Sequence, residues 1–202
     1  MKPDLWFFEK RASEKGFSKI AGIDEAGRGP LAGPVVSAAV ILPASFSASG
    51  ITDSKKLTPK QRDYFFDIIH EHAVSVGIGI VGPSEIDRIN ILEASRRSMA
   101  LSVENMSLRP DYLLIDGIFR ISSDLPQKPI PKGDSLSVSI AAASIIAKVT
   151  RDRIMEKYHR EYPQFGFLQH KGYPTKAHKA AIQTYGCCPI HRQSFKGVKE
   201  YL

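Results

Sequence analysis

Ile23-Asp24-Glu25-Ala26-Gly27-Arg28-Gly29-Pro30 is the stretch on which the fold of this chain turns. Two carboxylates stand side by side at the end of an apolar run (Ile20, Ala21, Ile23). A Gly-Arg-Gly follows at once, a proline closes it, and Val35 and Val36 open the next apolar run. The pattern is a strand ending in acids, a loop, and a returning strand. An acid pair beside packed core is costly to desolvate unless something positive binds there. Adjacent side chains on a strand point to opposite faces, so for both acids to reach one ion the backbone is expected to bend at Glu25. The glycines let backbone approach a ligand and aim amides at it, and Arg28 offers a planar donor for phosphate. Gly-x-Gly alone is common in turns; its weight here comes from the acids next to it.

Outward from this hairpin, strands and helices alternate. Leu5 to Lys15 reads as a short helix, Ile20 to Glu25 and Val35 to Leu42 as the hairpin strands. Thr58-Pro59 is a strong helix start, and that helix is expected to run to about His72 and bury Phe65, Ile68 and Ile69. Val74 to Val81 reads as a third strand. Ser84 to Asn90 and Ile91 to Met106 read as helices, the second with Leu92, Met99, Val103 and Met106 on one face. Asp111 to Gly117 is a continuous apolar run ending in an acid and a glycine, a buried strand. Gln127 to Pro131 fits a short edge strand. Ser135 to His159 is helical, apolar in its first half, with a charged and solvated second half from Arg151 onward. Pro163 to Pro174 reads as loop, and Thr175 to Tyr185 as a last helix stopped by Gly186. The class is α/β, a mixed sheet with helices on both faces.

A chain of 202 residues suits one domain with a small appendage. The excess of 28 Lys+Arg over 21 Asp+Glu favours a polyanionic partner. Cys187 and Cys188 are adjacent, poor geometry for a disulfide, and the Cys and His spacings match no metal motif. A reducing cytoplasm is the expected compartment. Met1 to Lys10 lacks the apolar core of a signal peptide, and no apolar run approaches the ~20 residues of a membrane span, so no membrane role is expected.

Four constellations carry chemistry. Asp24, Glu25, Asp116 and Asp134, at strand ends or just before a helix, form a set for hard divalent cations. Asp116 alone reads better as a solvated acid; the set of four does not. Gly27-Arg28-Gly29 is the second. Asp53-Ser54-Lys55-Lys56, ahead of a helix, is suited to backbone phosphates or, equally, to a plain capping turn. In His170-Lys171-Gly172-Tyr173-Pro174 the tyrosine stacks on a sugar or base, or else anchors the last helix in the core. His191 and Arg192 extend the basic surface.

Taken together, Ile-Asp-Glu-Ala-Gly-Arg-Gly-Pro, Asp-Ser-Lys-Lys-Leu, Leu-Ile-Asp-Gly, Lys-Gly-Asp-Ser with the following Ala-Ala-Ala-Ser-Ile-Ile-Ala-Lys-Val-Thr-Arg-Asp, and Gln-His-Lys-Gly-Tyr-Pro-Thr resemble bacterial ribonuclease HII, in order, from about Ile20 to Lys199. The arginine of Gly-Arg-Gly favours this family over ribonuclease HIII, where a lysine is usual. The resemblance implies a ribonuclease H-like fold: a mixed five-stranded sheet flanked by helices, over residues 1–160, with a C-terminal helical extension over 161–202. It implies a monomeric endonuclease that degrades the RNA strand of RNA–DNA hybrids and incises 5′ of single ribonucleotides in duplex DNA. Hydrolysis by two divalent ions, Mg2+ or Mn2+, would leave 3′-hydroxyl and 5′-phosphate ends. Asp24, Glu25, Asp116 and Asp134 would be the catalytic, metal-binding acids. Gly27, Arg28 and Gly29 would read the ribose 2′-hydroxyl, Ser54, Lys55 and Lys56 would contact substrate, and Tyr173 would stack on the neighbouring deoxyribose. Two other classes compete: a non-catalytic nucleic-acid-binding module, and a related two-metal nuclease or phosphatase indifferent to ribose. The four acids weigh against the first, since they repel a polyanion unless a cation intervenes.

Overall fold

The structure, a computed structural model, describes residues 4–202; Met1 to Pro3, the start of the expected catalytic unit, lie outside the described residues. Strand β1 (Ile20–Ala26) and strand β2 (Val35–Ile41) form the expected antiparallel hairpin. Strand β3 (Ser75–Val81) pairs antiparallel with β2. On the other side of β1 lie β4 (Tyr112–Asp116) and then β5 (Gln127–Ile130), both parallel. The sheet is therefore mixed and five-stranded, in the order β3-β2-β1-β4-β5. The expected bend at Glu25 is absent: the β1–β2 register continues unbroken through Glu25↔Ser37 and Ala26↔Val36. The chain turns one residue later, at Gly27, whose φ of 101° is a conformation that favours glycine. Pairing of β1 with β4, by contrast, stops at Ile23↔Ile115, so the acids sit where β1 outruns its neighbour.

Alternation along the strands sorts the two faces. Ala38 and Val40 pack with the long helix α5 (Val138–Glu161) and with Ile69 of α2 (Pro59–His72), while Ala21, Ile23, Ala39 and Ile41 pack with Met99 of α4 (Ile91–Glu104). Helix α2 starts as its sequence predicts, with Thr58 and Gln61 exchanging hydrogen bonds in a capping box. Gly22 is where α5 meets the sheet: a Cβ there would lie 2.1 Å from the backbone carbon of Ser139. The helix begins at Val138, three residues later than the sequence pattern suggests. Ser137 caps it, and Glu9 of α1 (Phe7–Ser13) accepts bonds from the Ser137 hydroxyl and the Ser139 amide and hydroxyl. A carboxylate there suits the positive end of the helix. Asp134 consequently occupies a separate 3-10 turn, Gly133–Ser135.

The segment read as loop over residues 163–174 holds a 3-10 turn (Pro163–Phe165) and a one-turn helix α6 (Phe167–His170), followed by α7 (Lys176–Tyr185). Phe165, Phe167, Ile182, Ile190 and Val198 of this C-terminal part close over Leu31, Ala32 and Met155. Two expectations are overturned here. Arg192 and His191, read as basic surface, are 0% and 2% exposed. Arg151, placed in the solvated half of its helix, is 1% exposed. Ile190 to Arg192 lie inside because this part of the tail runs beside the hairpin loop, where His191 bridges to Ala32 and the amide of Gly33 donates to Ile190.

Candidate active site

The site begins at the carboxyl ends of β1 and β4, one residue beyond the Ile23↔Ile115 pair, where Asp24 and Asp116 follow on neighbouring parallel strands. That edge is where parallel strands of open α/β sheets present their ligand sites. Asp24 is 5% exposed, and its Oδ1 accepts from the Glu25 amide at 2.7 Å. Asp116 Oδ1 accepts from Gly133 N at 2.6 Å, which ties the turn carrying Asp134 to the end of β4. Glu25 lies 3.5 Å from Arg28.

Burial, then the charges of Glu25 and Asp116, push the Asp24 carboxyl well above its ordinary range. Glu25 is raised, again chiefly by burial and by Asp116, although Arg28 and Lys55 oppose it. Burial, Asp116 and Asp53 raise Asp134. Burial alone would lower Lys55, but Asp24, Asp53, Asp134 and Asp116 outweigh it and raise this ammonium. These mutual shifts bring all four predicted acids, with Lys55, into one electrostatic neighbourhood.

The Asp53–Lys56 segment is held against the same edge. Asp53 caps Lys55 N at 2.9 Å, the buried Ser54 hydroxyl meets Ser144 of α5 at 2.9 Å, and Lys56 Nζ approaches Ser135 at 3.4 Å. Ser54 is thus an anchor, whereas Lys55 and Lys56 are exposed. The fourth element also joins: a Cβ at Gly29 would lie 3.7 Å from the Tyr173 ring, so Gly-Arg-Gly and Tyr173 face each other. The ring is 43% exposed, which removes the alternative that it anchors the core. A cleft of about 730 Å3 between α2 and α5, lined by Arg62, Lys148 and Arg153 among others, meets this set at Tyr173.

Among the described residues no three His, Cys, Asp or Glu side chains are gathered tightly enough to hold a metal ion as they stand. The donor chemistry nevertheless fits a hard divalent cation. All four groups offer carboxylate oxygen, and the raised pKa values of Asp24, Glu25 and Asp134 record burial and repulsion that a bound cation would relieve. The amide bonds to Asp24 and Asp116 use one oxygen of each.

Sequence reasoning missed His178 and placed Arg151, Arg192 and His191 in solvent, whereas all four are buried around the Gly-Arg-Gly loop and the Tyr173 turn. Arg151 carried a usable signal: Ala147, Arg151 and Met155 recur at helical spacing on the stripe that starts in the core. Arg192 carried none, since the tail has no periodicity.

A mixed sheet in this order, with acids at adjoining carboxyl ends of its central strands, defines a ribonuclease H-like α/β fold. The ribonuclease H2 of Pyrococcus horikoshii superposes with a TM-score of 0.76 at 28% identity, over 91% of this chain and 97% of that one. Ribonuclease HII of Archaeoglobus fulgidus, solved in complex with PCNA, superposes with a TM-score of 0.76 at 26% identity, over 89% and 96%. A sequence model of the family described as Ribonuclease HII matches residues 21–198. Ribonuclease HII of Syntrophus aciditrophicus is 58% identical, covering 94% of this chain and 89% of its own length, and that of Geobacter metallireducens is 56% identical, covering 98% and 93%. The chain belongs to the ribonuclease HII family. It is accordingly an enzyme, an endonucleolytic hydrolase of the ribonuclease H type, which acts on RNA–DNA hybrids. No helix among the described residues is long and apolar enough to cross a membrane.

Proposed function

We propose that this chain degrades the RNA strand of RNA–DNA hybrids and incises 5′ of single ribonucleotides embedded in duplex DNA, with Asp24, Glu25, Asp116 and Asp134 as a site for two divalent ions, Mg2+ or Mn2+. The observation that carries the proposal is the buried Asp24, raised by Glu25 and Asp116, with Lys55 and Arg28 as the cations acting on the set. Such a cluster repels a phosphodiester by itself and attracts it once cations are held. The chemistry that bound ions supply there is acidification of a water and neutralisation of charge at the phosphate.

The protein's own groups do the rest. Arg28 and Lys55, exposed beside the acids, bind the phosphate oxygens and offset charge that grows on them. The amides of Gly-Arg-Gly accept no steric competition from a side chain at either glycine, which suits contact with a ribose 2′-hydroxyl, the local mark of RNA. Tyr173, exposed and facing Gly29, stacks on the next sugar. Lys56, and the Ser54 that anchors its turn, hold the strand beyond the cut. Every group comes from one chain, so a monomer suffices. The products carry 3′-hydroxyl and 5′-phosphate ends.

The test is cleavage of a duplex with a single ribonucleotide, mapped to the nucleotide, in Mg2+ and in Mn2+. One cut on the 5′ side of the ribonucleotide is expected, and none in chelator. Equal cutting of an all-DNA duplex would instead favour a ribose-indifferent nuclease.

A further inference from the structure

Eight residues, Gly27 to Pro34, form the loop that carries Gly-Arg-Gly, and its carbonyls are tied down by two buried arginines. Arg192 donates from Nε to Gly33 O at 2.9 Å, from Nη1 to Arg28 O at 3.0 Å and from Nη2 to Gly27 O at 2.6 Å. Arg151 donates from Nε to Pro34 O at 2.9 Å, from Nη2 to Ala32 O at 3.1 Å and from Nη1 to Lys171 O at 3.0 Å. All six bonds end on main-chain oxygen, and neither guanidinium takes part in an ion pair among the described residues. Buried arginines are ordinarily matched with carboxylates, because desolvating a lone cation is expensive. Burial indeed depresses Arg192 to about 9 and Arg151 to about 10, which still leaves both charged at neutral pH.

These bonds have a stereochemical consequence. The described residues contain no cis peptide, and in a trans peptide the carbonyl and the next amide point in opposite directions. Drawing the carbonyls of Gly27 and Arg28 inward to Arg192 therefore turns the amides of Arg28 and Gly29 outward. Both residues are exposed there, and neither amide donates to another group among the described residues. Arg151 adds the second half, since its bond to Lys171 O couples this loop to the turn that holds Tyr173. Leu31 N to Gly172 O at 2.8 Å runs in parallel with it.

We infer that Arg192 and Arg151 are positioning residues for ribose recognition, fixing the outward amides of Arg28 and Gly29 and their register with Tyr173. The inference rests on the reading above that this loop and Tyr173 meet the substrate sugar. It assigns the C-terminal tail, 165 residues from Gly27, a part in substrate choice.

The experiment compares two duplexes of one sequence, with and without a single ribonucleotide, binding to wild type, Arg192→Lys and Arg151→Lys in Ca2+, together with kcat and KM on the ribonucleotide duplex in Mg2+. A lysine keeps the charge but not the three-way fork. Both variants should fold, by circular dichroism, and bind the all-DNA duplex as wild type does. Their preference for the ribonucleotide duplex should fall at least tenfold, and KM should rise by a similar factor. A purely structural role would lower both affinities together. A folded Arg192→Lys that keeps the wild-type preference overturns the inference, as does failure of both variants to fold. Should wild type itself show no preference, the reading of the loop as a ribose sensor falls, and the inference with it.

Discussion

At the end of β1, Asp24 is buried beside Glu25 and Asp116, and both of these neighbours carry the same charge. Three residues further along, the carbonyls of Gly27, Arg28 and Gly33 close around Arg192, which is more deeply buried still. Both places sequester charge, but the second answers it with oriented dipoles and the first leaves it opposed. An arginine enclosed by carbonyls has nothing left to bind. A carboxylate enclosed by carboxylates retains an attraction for any cation that arrives. The enzyme thus keeps a self-repelling set of acids, only partly offset by Lys55 and Arg28, beside a loop whose buried cation is satisfied, the arrangement expected where stability is given up for activity.

The largest effect that would break this comparison is Asp24→Asn. Cleavage of the single-ribonucleotide duplex should fall by at least about a thousandfold, as a charge proposed to hold the cations is lost. The melting temperature should nevertheless rise, because the repulsion is relieved. A lower melting temperature would show that Asp24 is a structural group after all.

Arg192→Met should do the opposite to the fold. It leaves three inward carbonyls without donors, at a cost of about 3 kcal/mol. For a chain of this size that corresponds to a drop of roughly 6–12 °C in melting temperature, read by thermal denaturation.

Acid titration separates the two regions by sign. Burial holds His178 down at about 4, where its Nδ1 donates to the Tyr173 carbonyl at 2.9 Å and its Nε2 meets His191 Nε2 at 3.0 Å. The unfolded chain takes up that proton near its ordinary 6.5, so His178 makes stability fall between about pH 6.5 and 4. Asp24, Glu25 and Asp134 are raised, so the folded state takes up their protons first and gains stability as the pH falls through their folded values. The advantage of Asp24→Asn in melting temperature should therefore shrink as the pH falls. His178→Gln should flatten the acid-side loss.

The smallest effect concerns Gly29. Its Cβ would meet only the Tyr173 ring at 3.7 Å, whereas at Gly27 it would lie 2.1 Å from Arg151 Nε. Gly29→Ala should change stability by less than about 0.5 kcal/mol while raising KM a few-fold in steady-state cleavage. Gly27→Ala should melt much earlier.

Much of the fold was legible because it is local. The apolar run before Asp116 specifies β4, Thr58-Pro59 specifies the start of α2, and the Gly27 turn specifies the hairpin. The four acids were legible only as a set, because a single carboxylate at a strand end reads as a solvated acid while several together call for a cation. Boundaries failed where a distant partner intervened: Glu9, 128 residues away, caps Ser137 and helps place the start of α5 after the Asp134 turn. Glu25 was expected to need a bend, and the strand keeps its register instead. That expectation treated the strand's two faces alone and ignored its open end, where β4 stops and Glu25 comes within range of Asp116, Arg28 and Lys55.

By itself the sequence determined the elements, the acids and the basic loop, since periodicity and turn chemistry act over a few residues. Only the tertiary structure decided that Arg192 lies inside the molecule and Tyr173 outside it. Whether a side chain is buried depends on which segments close over it. Here Leu31, Gly33 and the tail residues Ile190 to Arg192 meet across more than 150 positions of chain, a distance over which no local pattern carries information.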